Sequence, residues 1–214
     1  MFMVELDLFS ADFWIADSSC DSICSTNPDC YPGRCTSFAC AFECCFVGAC
    51  ADRVFNSSQS SSYTTSEETF ILQQGEMKMN GVFAADTVRL GTEDDALALR
   101  AAQFMQVTQF DHKDRFDYDG LLGLAPIRQD TLNIEPFLTQ LLDSDVLSKP
   151  VFSIFIRDSV DDMHDDGIIT FGDIDTENCL AQVASAPIVS ELNVQFVLSS
   201  FAMGSKYSKN ARWL

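Results

Sequence analysis

Eight of the nine cysteines lie in one short stretch of the 214-residue chain, and this clustering restricts how that stretch can fold. They are Cys20, Cys24, Cys30, Cys35, Cys40, Cys44, Cys45 and Cys50. The stretch contains no C-x-x-C pair, the short spacing that is typical of tetrahedral zinc sites, so a loop stapled by disulfides is favoured over a metal site. Eight cysteines allow about a hundred pairings, and the spacing selects none of them.

A disulfide-stapled loop predicts an oxidising compartment, and the triplet beginning at Asn56 is a sequon for N-glycosylation. The first residues, Met1 to Asp7, alternate between apolar and polar in the manner of a strand and do not resemble a secretory leader. Two alternatives follow. Either a leader lies upstream of this sequence, or the chain stays in the cytosol with its thiols reduced.

The charge balance excludes several classes of partner. The chain has 32 acidic residues against 13 basic ones, for a net charge of −19. This balance argues against a nucleic-acid-binding surface and against an anionic membrane surface, since both need a basic patch. No stretch reaches the roughly 18 apolar residues of a membrane-spanning helix. Neither a metal nor a cofactor is indicated.

Short alternating segments dominate the chain, which predicts an all-β fold with one or two short helices. Residues 68–91 are typical of a hairpin that turns around Gly75. The clearest helix candidate is 135–147, where leucines recur at helical spacing before Pro150. A further hairpin is predicted from Val151–Ile156 and Ile168–Phe171, and a last strand pair near 184–192 and 196–201.

Three tracts, taken in order, resemble one protein family. The first has Asp7-Leu8-Phe9-Ser10 followed by Trp14, and the second is the run Tyr118–Ala125, which contains Gly120 and Gly123. The third extends from Pro150 to Asp175. Their order and content are similar to the N-terminal lobe of the pepsin-like aspartic endopeptidases. The resemblance implies a bilobal fold in which a peptide or protein substrate lies between the lobes.

The resemblance also implies roles for individual residues. Asp7 stands at the position of the catalytic carboxylate, with Ser10 and Trp14 as supporting residues. Gly120 and Gly123 stand in the segment that braces the catalytic strand. The flap that closes over substrate corresponds to Gln74, Gly75, Glu76 and Met77. In this family two aspartates share one proton and activate a water molecule that attacks the peptide carbonyl.

The sequence departs from the family pattern at three points. Leu8 and Phe9 replace the Thr and Gly that follow the catalytic aspartate, so a hydroxyl is lost and bulk is added. The flap lacks its tyrosine, and Met77 stands where a flap-tip glycine would be. No second Asp-Thr-Gly or Asp-Ser-Gly occurs in these 214 residues. We therefore predict a chain that is inactive alone or that needs a second lobe.

The domain organisation follows from the same resemblance. Residues 1–188 are predicted to form the N-terminal lobe, with a cysteine-rich insert at 17–53 and the flap hairpin at 68–91. Residues 189–214 are predicted to be the opening strands of an incomplete second lobe, ending just short of the second catalytic aspartate. A fragment of this kind would expose an apolar lobe face and self-associate through it.

Three functions compete at this point. The first is an aspartic endopeptidase, located outside the cell or in a lysosomal or gut lumen. The second is a non-catalytic derivative that binds peptides or an intact protease. The third is a secreted binding module whose function resides in the cysteine-rich insert.

Overall fold

The computed structural model describes residues 1–22, 51, 53–74, 77–91, 97–111, 118–125, 132–156, 167–179, 185–189, 195–198, 201–203 and 206–208. The strands are β1 (Val4–Asp7), β2 (Phe13–Ser22), β3 (Thr64–Gln74), β4 (Met77–Leu90), β5 (Leu97–Asp111), β6 (Gly120–Gly123), β7 (Phe152–Ile156), β8 (Gly167–Phe171), β9 (Phe201–Met203) and β10 (Lys206–Ser208). The helical elements are α1 (Phe137–Asp143) and a 3-10 turn (Ser57–Gln59). The predicted all-β class is confirmed.

Six of the strands form a mixed sheet in the order β1-β6-β2-β5-β4-β3. Strand β6 lies between β1 and β2 and runs parallel to β1 and antiparallel to β2. Strand β2 in turn runs parallel to β5. Two small antiparallel sheets, β7–β8 and β9–β10, complete the described strands. The edge strand β1 carries Asp7 at its end, so this sheet positions the site.

The sheet has an apolar cluster on each of its faces, because successive side chains of a strand point to opposite sides. On β2, Trp14 belongs to one cluster, whereas Phe13 and Ile15 belong to the other. The flap-side cluster also contains Phe70, Leu72, Met77, Met79, Met105, Val107, Phe110 and Leu121. The helix-side cluster also contains Ala84, Leu99, Phe104, Leu122, Leu124, Phe137 and Leu141. Burial on both faces explains why the first residues of β2, Phe13 to Ala16, and the whole of β6 are apolar.

Helix α1 is shorter than the predicted 135–147. It begins after Pro136, a residue suited to a helix N-terminus, and ends before Asp145, whose φ of 56° leaves the helical region. Its buried face carries Phe137 and Leu141, one turn apart. The buried Gln140 joins α1 to β5, because its side chain accepts from the Gln103 N–H at 2.6 Å and donates to the Gln103 carbonyl at 3.1 Å.

The cysteine-rich insert begins later than predicted, because β2 continues through Cys20 to Ser22. The chain on either side of the insert is joined by backbone hydrogen bonds. The Ser18 N–H donates to the Phe55 carbonyl at 2.9 Å, and the Phe55 N–H donates to the Ala16 carbonyl at 2.7 Å. The two ends of the insert are therefore close together in the fold. Residues 23–50, with seven of the predicted disulfide cysteines, lie outside the described residues.

The two predicted hairpins are present, whereas much of the predicted late strand pair lies outside the described residues. Strands β3 and β4 pair from Thr64↔Ala85 to Gln74↔Met77, and β7 pairs with β8 along its whole length. Residues 185–189 and 195–198, by contrast, are exposed and carry no strand. One backbone hydrogen bond joins them, from the Val189 N–H to the Gln195 carbonyl at 2.9 Å. The strands in this region are β9 and β10, further along the chain.

A chain of buried polar side chains joins three elements of the lobe. The Gln106 amide on β5 donates to the Asp17 carboxylate on β2, and the Tyr63 hydroxyl donates to Gln106 Oε1 at 2.5 Å. Asp17 also accepts from the Ser19 N–H at 2.7 Å. Asp17 and Gln106 are 6% and 4% exposed, so their mutual hydrogen bonds compensate for lost hydration.

Asp86 joins β4 to the serines that precede β3, and it makes the free energy of unfolding depend on pH. Burial alone would raise its pKa, but hydrogen bonds from Ser62, Ser60 and the Thr87 N–H outweigh that effect and hold the pKa of Asp86 below its ordinary value. A carboxyl whose pKa is lowered by folding contributes stability above its unfolded pKa, near 4, and loses it as pH falls through the folded pKa.

We expect the free energy of unfolding to fall below pH of about 4 and the fall to be shallower in Asp86→Asn. Urea denaturation between pH 2.5 and 6 measures this. Glu67→Gln, at an exposed carboxyl on β3, is the control and should retain the wild-type slope. Identical slopes for wild type and Asp86→Asn would contradict the assignment.

Candidate active site

Asp7 ends β1 at the point where the chain turns toward β2. Its carboxylate Oδ1 accepts from the Phe9 N–H at 2.8 Å, and its carbonyl accepts from the Leu124 N–H at 2.7 Å. The side chain is half-buried. The Phe9 N–H therefore orients the carboxylate and the Leu124 N–H holds the Asp7 backbone, and an oriented, accessible carboxylate is suited to proton transfer with a bound water.

Gly123 and Gly120 allow β6 to lie directly against the Asp7 turn and β2. A Cβ on Gly123 would lie 2.5 Å from the Ser10 carbonyl oxygen and 2.6 Å from the Asp12 nitrogen, and one on Gly120 would lie 2.2 Å from the Trp14 carbonyl oxygen. Any other residue would displace backbone at both positions. These glycines thus allow the close packing of β6 against the turn that follows Asp7.

Ser10 and Trp14 lie beneath this turn. The Ser10 carbonyl accepts from the Ala125 N–H at 3.0 Å. Trp14 is 2% exposed and packs against Tyr118, with ring centroids 6.2 Å apart, and against Phe110 at 5.6 Å. In the described part of the chain, neither Ser10 Oγ nor Trp14 Nε1 has a hydrogen-bond partner, although both atoms are buried. The indole is thus a core side chain with an unsatisfied donor.

Leu8 and Phe9, the residues that depart from the family pattern, have different surroundings. Leu8 packs against the helix-side cluster, so an apolar side chain is accommodated there. Phe9 is 70% exposed, and its ring projects away from the lobe. The Phe9 ring would therefore contact any molecule that binds to this surface.

The flap hairpin reaches its turn between Gln74 and Met77, which are paired across the two strands. The Met77 side chain is 9% exposed and belongs to the same cluster as Trp14. A side chain at the predicted flap-tip position is therefore packed onto the lobe. Gly75 and Glu76 lie outside the described residues.

A large apolar groove lies on the other face of the sheet. Its volume is about 710 Å³. Val4 and Leu6 of β1 line it, together with Phe13, Phe104 and Phe171. Because β1 side chains alternate, Asp7 points to the opposite face. The groove is therefore separate from the candidate site.

Sequence reasoning missed Glu5 and Tyr118. Glu5 is exposed, stands two residues before Asp7 and shares its face of β1. The Tyr118 side chain packs against the flap-side cluster, and its hydroxyl donates to the Glu5 carboxylate. Burial, that hydrogen bond and the nearby negative charges of Glu5 and Asp7 raise the pKa of Tyr118. The two-residue spacing on a strand was the signal that could have identified Glu5.

Sequence reasoning also missed Asp119. Its side chain is 2% exposed, and its two carboxylate oxygens accept from the Met3 N–H at 2.7 Å and the Arg53 N–H at 2.8 Å. The same carboxylate therefore holds the segment before β1 and the segment after the cysteine-rich insert. Asp119 supports the strand that carries Asp7 without reaching the site itself.

The remaining predicted residues lie away from Asp7. Cys20 is 8% exposed in the flap-side cluster, and Cys179 is a half-buried free thiol. Asn56 is exposed and accepts from the Ser58 N–H at 3.1 Å. Within the described ranges no three His, Cys, Asp or Glu side chains are placed to hold a metal ion. Those ranges also contain no helix with the length and hydropathy needed to cross a membrane.

A mixed sheet in which the glycine-flanked β6 lies between the parallel β1 and the antiparallel β2, with Asp7 at the end of β1, fits the N-terminal lobe of the pepsin-like fold. The sequence model of the family described as Eukaryotic aspartyl protease matches residues 1–213. The chain belongs to the eukaryotic aspartyl protease family.

Individual relatives agree with this assignment. The chain is 27% identical to Aspartic protease 6 of Caenorhabditis elegans over 208 residues, which cover 95% of this chain and 47% of that protein. It is 29% identical to Aspartic protease 17 of the same organism over 211 residues, covering 96% and 48%. It is 26% identical to gastricsin of Macaca fuscata fuscata over 213 residues, covering 97% and 48%. The chain thus spans about half the length of these relatives.

Proposed function

We propose that this chain supplies one half of the catalytic apparatus of an aspartic endopeptidase, with Asp7 as its carboxylate. The observation that carries the proposal is the fixed position of Asp7, whose Oδ1 accepts from Phe9 and whose carbonyl is bound by Leu124. Ser10 and Trp14 support the turn, and Gly120 and Gly123 allow the close approach of β6. We assign the flap over the substrate peptide to Gln74, Gly75, Glu76 and Met77, as the family resemblance implies.

The reaction needs a second carboxylate. Two carboxylates close together cannot both ionise, so they share one proton. The ionised one removes a proton from water while the other donates to the carbonyl oxygen. No second Asp-Thr-Gly or Asp-Ser-Gly occurs in residues 1–214, so the partner must come from another lobe. The domain division proposed for this reason is a lobe at 1–188 followed by strands of a second lobe at 189–214.

We expect the 214-residue chain alone to give no pepstatin-sensitive cleavage of a quenched fluorescent peptide between pH 3 and 5. A homodimer would bring two Asp7 carboxylates together, but we do not expect it to be active. Two Phe9 rings, each 70% exposed, would meet beside those carboxylates. Pepstatin-sensitive cleavage by the isolated chain that disappears in Asp7→Asn would contradict this expectation.

The role of Asp7 itself is tested by supplying a second lobe. The C-terminal half of gastricsin, co-expressed with this chain carrying Leu8→Thr and Phe9→Gly, should restore pepstatin-sensitive cleavage. Asp7→Asn in the same complex should return the rate to background, whereas Asp17→Asn, which removes a carboxylate in the core, should not alter the pH profile. Cleavage that survives Asp7→Asn would refute the proposed role.

A non-catalytic peptide-binding derivative is the second candidate. It is favoured by the replacement of Thr and Gly by Leu8 and Phe9, and by the exposed edge of β1 beside the apolar groove. Strand edges accept extended peptides through backbone hydrogen bonds. Retained peptide binding in the complemented protein without any cleavage would support this candidate over the endopeptidase. The third reading, a secreted binding module, assigns the function to the cysteine-rich insert.

We also propose that the protein works in an extracellular, lysosomal or gut lumen, with its cysteine-rich insert held by disulfides. The support is the clustering of eight cysteines between Cys20 and Cys50 without a zinc-type spacing. Reduction should lower the Tm, since a disulfide restricts the unfolded chain. Calorimetry with and without reductant measures the change, and mass spectrometry after alkylation identifies the pairs. An unchanged Tm would contradict the proposal that disulfides stabilise the fold.

Self-association is proposed through the exposed apolar side chains near β1. Met3, Leu6 and Phe9 are 58%, 43% and 70% exposed. Apolar patches of this kind mark interfaces. Sedimentation of the isolated chain should show oligomers that Phe9→Ser and Leu6→Ser reduce. A monomer at all concentrations would argue against this surface.

A further inference from the structure

A row of side chains crosses the sheet on the face that carries Asp7. Glu5 on β1 is in register with Leu121 on β6, which pairs with Trp14 on β2, which in turn pairs with Met105 on β5. Residues paired across neighbouring strands place their side chains on the same face. The row is apolar and buried at Leu121, Trp14 and Met105, and it ends in the exposed carboxylate of Glu5.

Tyr118 lies over the end of this row. Its ring packs on Trp14 with centroids 6.2 Å apart, and its hydroxyl donates to Glu5. The hydrogen bond directs the Glu5 carboxylate toward the aromatic pair, although the carboxylate remains in contact with solvent. The partly exposed Tyr118 ring beside the exposed Glu5 carboxylate complements a side chain that has an apolar stem and a cationic head.

The distance from Asp7 relates this feature to the reaction. Residues two apart on a strand are about 7 Å apart, and an extended peptide advances by about 3.4 Å per residue. A peptide whose scissile carbonyl lies over Asp7 therefore places a side chain one or two residues away beside Glu5. A neutral residue at position 5 would leave that side chain facing only apolar groups.

We propose that Glu5, oriented by Tyr118, is a specificity-determining residue that selects a lysine or arginine side chain of the substrate next to the bond over Asp7. This inference rests on the proposed function, since it assumes that an extended peptide crosses Asp7. It assigns a basic residue to the substrate and gives Glu5 no part in bond cleavage.

The test is peptide binding to the full 214-residue chain at pH 6.5, where free carboxylates and lysine are charged. Fluorescein-labelled octapeptides with an identical apolar background carry either one lysine or one norleucine at a central position. We expect the lysine peptide to bind about five-fold more tightly, as for a partly exposed ion pair, and the difference to narrow at 0.5 M salt.

Three substitutions test whether Glu5 and Tyr118 cause the preference for the lysine peptide. Glu5→Gln should abolish the lysine preference, and Tyr118→Phe should reduce it, because the hydroxyl that orients the carboxylate is lost. Glu67→Gln makes the same change at an exposed residue of β3 and should retain the preference. Circular dichroism verifies that each variant is folded.

Equal binding of the two peptides, binding of neither, or a preference that survives Glu5→Gln would overturn the inference. The assay needs no cleavage, so these outcomes leave the role of Asp7 untouched. Conversely, a Glu5-dependent preference together with cleavage that survives Asp7→Asn in the complemented protein would refute the proposed function and retain the binding site.

Discussion

Asp119→Ala is expected to lower the free energy of unfolding by about 3–5 kcal/mol, because two backbone N–H donors lose a charged acceptor. Those donors, Met3 and Arg53, lie 2.7 and 2.8 Å from the carboxylate. Asp119 itself is 2% exposed, so water does not readily replace it. The Tm should fall by roughly 10 °C for a chain of this size.

Asp119→Asn provides a graded comparison. The amide keeps one acceptor oxygen but presents an NH₂ group to the second donor. The decrease in the free energy of unfolding should therefore lie between zero and the decrease for Asp119→Ala. Asp173→Ala is the matched control, since that carboxylate is 57% exposed and pairs with Lys149 on the surface. Its Tm should stay within about 2 °C of wild type. Equal effects of Asp119→Ala and Asp173→Ala would contradict the anchoring role.

Gly123→Ala is expected to destabilise the lobe by about 3 kcal/mol or more, because its Cβ would meet backbone atoms that cannot rotate away. The added carbon would lie 2.5 Å from the Ser10 carbonyl oxygen and 2.6 and 2.7 Å from the nitrogen and oxygen of Asp12. The turn must then move off β6. This movement weakens the 2.6 Å hydrogen bond from the Gly123 N–H to Asp12 and shifts Asp7.

Gly172→Ala separates steric overlap from backbone strain. Gly172 has a φ of 82°, and its nearest contact would be the rotatable Ser148 hydroxyl at 3.3 Å. We expect about 1–2 kcal/mol there, the cost of a left-handed conformation for a residue with a Cβ. Urea midpoints with a common m-value measure both losses. If Gly123→Ala lowers the free energy of unfolding no more than Gly172→Ala does, the turn after Asp7 can move away from β6 at little cost.

The site was predictable from sequence where local pattern carried the information. Asp7, Ser10 and Trp14 stand at fixed spacing along one strand and turn, and Gly120 and Gly123 mark a strand that backbone must approach closely. Their functional roles remain predictions. The hairpin around Gly75 was evident because both of its arms alternate and the turn residue divides them.

Other features were not predictable, because they depend on contacts between distant segments. The expected bulk of Phe9 does not affect this lobe, since its ring is 70% exposed. The buried Asp119 resembles any loop acid in the sequence, and only the fold brings Met3 and Arg53 to it.

The sequence by itself determined the family, through its resemblance to known motifs, and the all-β class, since alternation is a local property of the chain. The tertiary structure alone decided that Glu5 faces Tyr118 beside Asp7 and that the large groove lies on the opposite face. The physical reason is that the alternation of side chains along a strand defines its two faces. It does not determine which other elements pack against each face. That choice is made when β6 enters between β1 and β2.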